Sequence, residues 1–160
     1  SRSHYGFIKR LLEIEIPELS DGTIMLYSVA RDAGSRSKIA VYTEYTNVDP
    51  IGAVIGEKGR RIANVLKELS GEKIDVILYD KDPVKFIANA LSPAKDVKVS
   101  IKDETKKEAL ALVNDKNLSL AIGKKGQNVK LASRLTHYKI EVKPEEQENT
   151  ETTEETSVEE

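Results

Sequence analysis

Cysteine is absent from this chain of 160 residues, which excludes disulfides, thiol nucleophiles and thiolate metal sites. Tryptophan is absent too, and aromatic residues make up only 5% of the sequence, too few for the large aromatic pockets of many cofactor enzymes. No stretch approaches the roughly 18 consecutive apolar residues of a membrane-spanning helix. Ser1-Arg2-Ser3-His4 is no charged leader before an apolar run, so neither a membrane anchor nor a secretory signal is expected and a cytoplasmic location is. The histidines, His4 and His137, lie far apart in sequence, and neither has a carboxylate or second histidine at ligand spacing. The P-loop spacing is missing as well. The carboxylates fall on solvated faces and in the carboxy-terminal tail rather than singly within apolar runs, so paired acid/base chemistry has no footing. No metal, no cofactor and no enzymatic activity are expected.

Residues 145–160 hold eight glutamates and no lysine or arginine, which leaves the rest of the chain with 19 acidic side chains against all 25 basic ones. The net charge of -2 therefore conceals a positive body that favours polyanionic partners. The glutamate- and threonine-rich tail after Pro144 has one aliphatic residue, Val158; it cannot offset its ordering entropy and is expected to be disordered.

An internal repeat is the strongest feature of the body. Val54-Ile55-Gly56-Glu57-Lys58-Gly59-Arg60-Arg61-Ile62 returns as Ala121-Ile122-Gly123-Lys124-Lys125-Gly126-Gln127-Asn128-Val129, and Lys73-Ile74-Asp75-Val76 returns, one residue closer, as Lys139-Ile140-Glu141-Val142. Upstream, Phe7-Ile8 with Leu11-Leu12 has the spacing of Phe86-Ile87 with Ala90-Leu91. Each copy reads as helix, strand, strand, helix, helix, strand. Asp82-Pro83 is a helix start and Ser92-Pro93 a stop. Val97, Val99 and Ile101 alternate with polar residues as in a half-buried strand, with Ala109 to Val113 as its hairpin partner. In the first copy Ile24 to Arg31 and Lys38 to Glu44 flank the turn Asp32-Ala33-Gly34-Ser35, with a less clean alternation. Ile62, Val65, Leu66 and Leu69 form one helical apolar face, and Gly71 ends that helix before the strand Ile74, Val76, Leu78.

A lone G-x-x-G usually marks only a turn. Here it occurs twice, each time after an isoleucine, between two predicted helices, with a basic residue inside. Glycines allow a ligand to approach the backbone, and the following helix presents free N–H groups and its positive dipole end, so phosphate fits. Gly56, Glu57, Lys58, Gly59, Arg60 and Arg61 form the first candidate site. Gly123, Lys124, Lys125, Gly126, Gln127, Asn128, Lys130 and Arg134 form the second, with Ser119 beside them. The Lys124-Lys125 loop is the better electrostatic clamp, because Glu57 is an awkward neighbour for phosphate. Arg31, Ser35, Arg36 and Lys38 around the first hairpin turn are a further group that extends the track.

This pattern is that of the KH module, whose G-x-x-G loop clamps nucleic-acid backbone beside an apolar base groove. The element order resembles the bacterial, type II form. Val48 to Ile62, Gly71 to Val76, Phe86 to Lys95 and Leu118 to Asn128 resemble the tandem KH region of the bacterial NusA transcription-factor family, over about residues 1 to 143. The resemblance implies an RNA-binding factor that modulates pausing, termination and antitermination. In that family an amino-terminal polymerase-binding domain and an S1 domain come first, so a fragment starting at the S1-to-KH junction is expected, with polymerase contact mainly through domains outside it.

The expected fold class is thus α/β of the α+β sandwich kind: a first KH domain over 1–79, a second over 80–143 and the acidic tail over 144–160. Each domain is a three-stranded sheet with helices on one face, and the link around Tyr79-Asp80-Lys81-Asp82 is too short for free tumbling. Single-stranded RNA, such as a nascent transcript, is the expected partner of a monomer. A rival reading has the same basic face dock RNA polymerase or another transcription factor.

Overall fold

The computed structural model describes residues 5–69 and 71–145; of the tail expected over 144–160, Pro144 instead ends the last strand, paired with Val113, and residues from 146 onward, like the expected junction over Ser1 to His4, lie outside the described residues. Elements run in the expected order. The first unit has α1 (Tyr5–Glu15), a short α2 (Pro17–Ser20), β1 (Met25–Asp32), β2 (Arg36–Tyr42), α3 (Pro50–Ile55), α4 (Arg60–Glu68) and β3 (Lys73–Leu78). The second has α5 (Pro83–Ala90), β4 (Lys98–Asp103), β5 (Glu108–Val113), α6 (Asp115–Ile122), α7 (Gln127–Thr136) and β6 (Lys139–Pro144). Local chemistry sets the boundaries. Asp82 caps α5 by accepting from the Val84 N–H, with Pro83 at the first helical position, and Asn114 caps α6 by accepting from the Asn117 N–H.

Each sheet has three strands, β1-β2-β3 and β4-β5-β6. The hairpin pair is antiparallel, and the last strand adds parallel to its middle strand after the helix pair. In the first unit Ile39 and Val41 of β2 join Ile8, Leu12, Val54, Val65 and Leu69 from α1, α3 and α4 in one core.

The opposite face of that sheet is covered as well, by helices of the second unit. Ala30, Ala40 and Ile77 share a core with Phe86, Ile87, Leu91, Leu131, Ala132 and Leu135 of α5 and α7, which continues into Ala109, Ala111 and Ile140 of the second sheet. The layers are helices, sheet, helices, sheet. Small side chains at Ala30 and Ala40 let α7 approach, and the Ser28 hydroxyl donates to the Leu135 carbonyl at 2.8 Å. The outer face of the second sheet has no such cover among the described residues, and Lys98, Ser100, Lys102, Lys139, Glu141 and Lys143 are exposed on it. Helices on one face therefore holds inside each unit, while docking closes the second face of the first sheet.

Candidate nucleic-acid interface

In both copies the helix before the loop stops at its first glycine, whose N–H donates four residues back: Gly56 to Gly52 at 2.9 Å and Gly123 to Ser119 at 2.8 Å. A single tight turn follows, closed by Gly59 N–H to Gly56 O at 3.0 Å and Gly126 N–H to Gly123 O at 3.1 Å, and the next helix begins at once. The backbones nearly coincide. Gly56 and Gly123 have φ/ψ of 79/170 and 78/170, Lys58 and Lys125 of 54/25 and 57/25, and Gly59 and Gly126 of 73/16 and 77/12 degrees. Different side chains on one backbone point to a geometry held for its own sake.

The two glycines of each loop serve different ends. A Cβ on Gly56 would lie 2.7 Å from Arg61 Cγ, and one on Gly123 would lie 2.6 Å from the Asn128 nitrogen, so the first glycine is needed to close the loop on its own helix. At the second glycine there is room. Nothing lies within 4 Å of a Cβ on Gly59, and a Cβ on Gly126 meets only Lys130 Cε at 3.7 Å. The open side is where a ligand backbone can approach.

Glu57, Lys58, Arg60, Lys124, Lys125, Lys130, Arg134, Ser119 and Ser35 are exposed. Six other expected contact residues have structural partners. Arg61 donates to Glu18 at 2.8 Å and to the Ala53 carbonyl at 2.9 Å. Asn128 is buried, and its amide donates to the carbonyls of Leu91 at 3.0 Å and Ala121 at 2.9 Å, pinning the start of α7 to the ends of α5 and α6. Gln127 donates to Asp32 Oδ2 and Ser35 Oγ, both at 2.7 Å, which joins the second loop to the hairpin tip of the first unit.

The hairpin group needs correction. Arg31 has a side chain 7% exposed and paired with Glu72 at 2.9 Å. Lys38 is fully buried, donating to Asp75 at 2.9 Å and to the Ser92 carbonyl of the second unit at 2.7 Å. Arg36 makes a two-point contact with the same Asp75, 2.9 Å at each oxygen. These cations hold the sheet and the unit junction, and of the four only Ser35 faces the groove. In a strand a lysine reads as solvated; here the docked α5 and α7 cover it.

Burial opposes ionisation of Asp75, but the hydrogen bond from Arg36 and the charge of Lys38 outweigh it and hold its carboxyl below the usual range. Glu72 behaves alike: burial pushes it up, and hydrogen bonds from Arg31, Ser37 and the Gly34 N–H pull it lower still. Burial lowers the Lys38 ammonium, partly countered by Asp75. Carboxyls depressed in the folded state contribute stability above their unfolded values of about 4, and lose it as pH falls through the folded values. Unfolding free energy should therefore keep the whole of this contribution on going from pH 7 to about 5, then decline below about pH 4. Denaturation measured across that range checks this, and Asp75→Asn should flatten the acid limb.

Two folded units of this order, each with a G-x-x-G turn between helices beside a three-stranded sheet, define a tandem KH module of type II. The family model described as NusA-like first KH domain matches residues 2–79, and that of the NusA-like second KH domain matches residues 83–150; the chain belongs to this NusA-like KH family. It is 54% identical over 145 residues to the transcription termination/antitermination protein NusA of Halalkalibacterium halodurans, covering 91% of this chain and 38% of that protein. The corresponding protein of Bacillus subtilis is 53% identical, with 91% and 39% covered, and that of Thermus thermophilus 49%, with 88% and 36% covered. The chain thus spans well under half the length of these relatives. A crystal structure of APE1850 shares the fold, with a TM-score of 0.60, 22% identity, and 84% of this chain and 96% of that one covered.

Among the described residues no group of three or more histidine, aspartate or glutamate side chains is placed to hold a metal ion, and no helix is long and apolar enough to cross a membrane.

Proposed function

We propose that the chain binds single-stranded RNA through its two G-x-x-G loops, as the RNA-binding part of a transcription factor acting on pausing, termination and antitermination. The observation that carries this reading is the pair of loops with one backbone conformation, each open at its second glycine and flanked by exposed cations. Free N–H groups and lysines there match phosphate oxygens. The docked units bring the second loop against the first unit's hairpin tip, which favours one track for a nascent transcript over two separate sites. The transcription role comes from the name the relatives carry. Contact with the polymerase complex belongs mainly to parts of those proteins that this chain does not span, and the chain itself acts as a monomer.

Replacing Lys124 and Lys125 by aspartate should weaken RNA binding by about tenfold or more, since hydrogen bonds to charged groups contribute roughly 1.5–3 kcal/mol each. The matching change at Glu57 and Lys58 should cost less, because only one cation is removed. Both pairs are exposed, so circular dichroism and melting should stay as they are. Unchanged affinity in both variants would sink the RNA reading.

A further inference from the structure

The outer face of the second sheet is left bare among the described residues. Ala109, Ala111 and Val113 of β5 point into the core, so Leu110 and Leu112 point outward. Strand pairing sets Lys98 and Lys143 on either side of Leu112, Ser100 and Glu141 on either side of Leu110, and Lys139 beside Glu108. Lys102 follows on β4. Leu110 is nevertheless only 8% exposed, which places the aliphatic stems of these neighbours over it and their charged ends around it. The face is thus an apolar stripe edged by four lysines, with the carboxylates Glu108 and Glu141 among them. Lys143 reaches Glu141 at 3.6 Å, while Lys102 and Lys139 have no ion pair among the described residues.

The chain leaves the sheet over this face. β6 ends at Pro144, and the next residue, Glu145, accepts a hydrogen bond from the Lys98 ammonium. β4 and β6 are separated by β5 and lie about 10 Å apart, so this contact crosses the sheet above Leu112. Seven of the eight glutamates over 145–160 follow Glu145, with no lysine or arginine among them. Residues 146–160 can extend to about 50 Å, and a strand of six residues such as β6 is about 20 Å long, so every lysine of the face is within reach. We propose that this lysine-edged face is a docking surface for the chain's own acidic segment, residues 146–160. Glu145 on Lys98 is the first contact, and later glutamates pair with Lys102, Lys139 and Lys143. The tether raises the effective concentration of those carboxylates to the order of millimolar. Single exposed ion pairs are weak and screened by salt, so the segment is held by several at once and is released as ionic strength rises. While docked, it closes the face to other polyanions. The docking stands whether or not the loops bind RNA.

The absence of cysteine makes the test direct: Ser157→Cys in the full 160-residue chain carries a single nitroxide label, and the backbone amide signals are followed by NMR. At low salt the signals of β4 and β6 should lose intensity several-fold relative to those of α4 and of the two G-x-x-G turns. They should regain it in about 1 M salt, where the Debye length is about 3 Å. Adding Lys102→Gln and Lys139→Gln, both at exposed positions, should restore most of the intensity at low salt. Heparin, as a polyanion probe, reads the closure of the face. Glu151→Gln, Glu154→Gln and Glu155→Gln together should tighten heparin binding several-fold, and by clearly less in the Lys102→Gln, Lys139→Gln background. Broadening strongest at Lys124 to Lys130, or broadening unmoved by salt and by the lysine substitutions, would overturn the docking. Equal tightening of heparin in both backgrounds would overturn it as well.

Discussion

Asp75→Ala should destabilise the chain by about 3–5 kcal/mol, the usual cost of leaving a buried charge without its partner. Lys38 is fully buried, and its ammonium has two acceptors, Asp75 and the Ser92 carbonyl. Removing Asp75 takes away its countercharge. Arg36, the other partner, has a side chain 27% exposed and can turn to water. For a domain of this size that loss corresponds to a fall in the melting midpoint on the order of 10 °C. The double variant Lys38→Met with Asp75→Leu should recover most of it, because an apolar pair of similar volume carries no desolvation cost. Urea denaturation of the single and double variants decides the matter. A single-variant cost below about 1 kcal/mol, the value typical of exposed pairs, would show that Lys38 reaches water and that the junction between the units is looser than described.

The second large effect separates the glycines of one loop. Gly123→Ala places a Cβ 2.6 Å from the backbone nitrogen of Asn128 at a φ of +78°. Positive φ with ψ near 170° is essentially restricted to glycine and costs about 1–3 kcal/mol, with overpacking adding about as much. A loss of roughly 3 kcal/mol or more is expected, together with loss of RNA binding at that loop, since Asn128 can no longer hold α6 and α7 at their present distance. Gly126→Ala meets no clash and occupies the left-handed helical region, φ +77 and ψ 12, at a cost of about 1–2 kcal/mol. Its Cβ stands on the open side of the turn, so RNA affinity should fall more than stability does. Equal stability losses for the two alanines, measured by thermal melting, would contradict these separate roles.

The order of elements, the repeat and both G-x-x-G turns were legible because each rests on local signals: an N-cap with proline, an apolar helix face, a glycine stop, a period of two. The hairpin cations were misplaced because position on a strand says nothing of what packs against it. By strand pairing, the second unit's counterparts of Lys38 and Asp75 are Leu110 and Glu141. Glu141 has a side chain 68% exposed, whereas Asp75 lies under the second unit. The less clean alternation in β1 and β2 was the one trace of this in the sequence, since a strand covered on both faces has no reason to alternate. Gln127 left no trace at all; its partners are far away in the chain and meet it only when the units dock.

By itself the sequence determined two copies of one α+β unit, each with a phosphate-sized turn, because capping, periodicity and glycine placement act over a few residues and are written in order along the chain. Only the tertiary structure decided which charges face solvent. Docking α5 and α7 on the first sheet turned Lys38 into an internal partner of Asp75, the first unit's own α1 covers Arg31 where it pairs with Glu72, and Lys124, Lys125, Lys130 and Arg134 were left together at the junction. Burial is a property of surfaces that meet, and these surfaces belong to residues far apart in the chain.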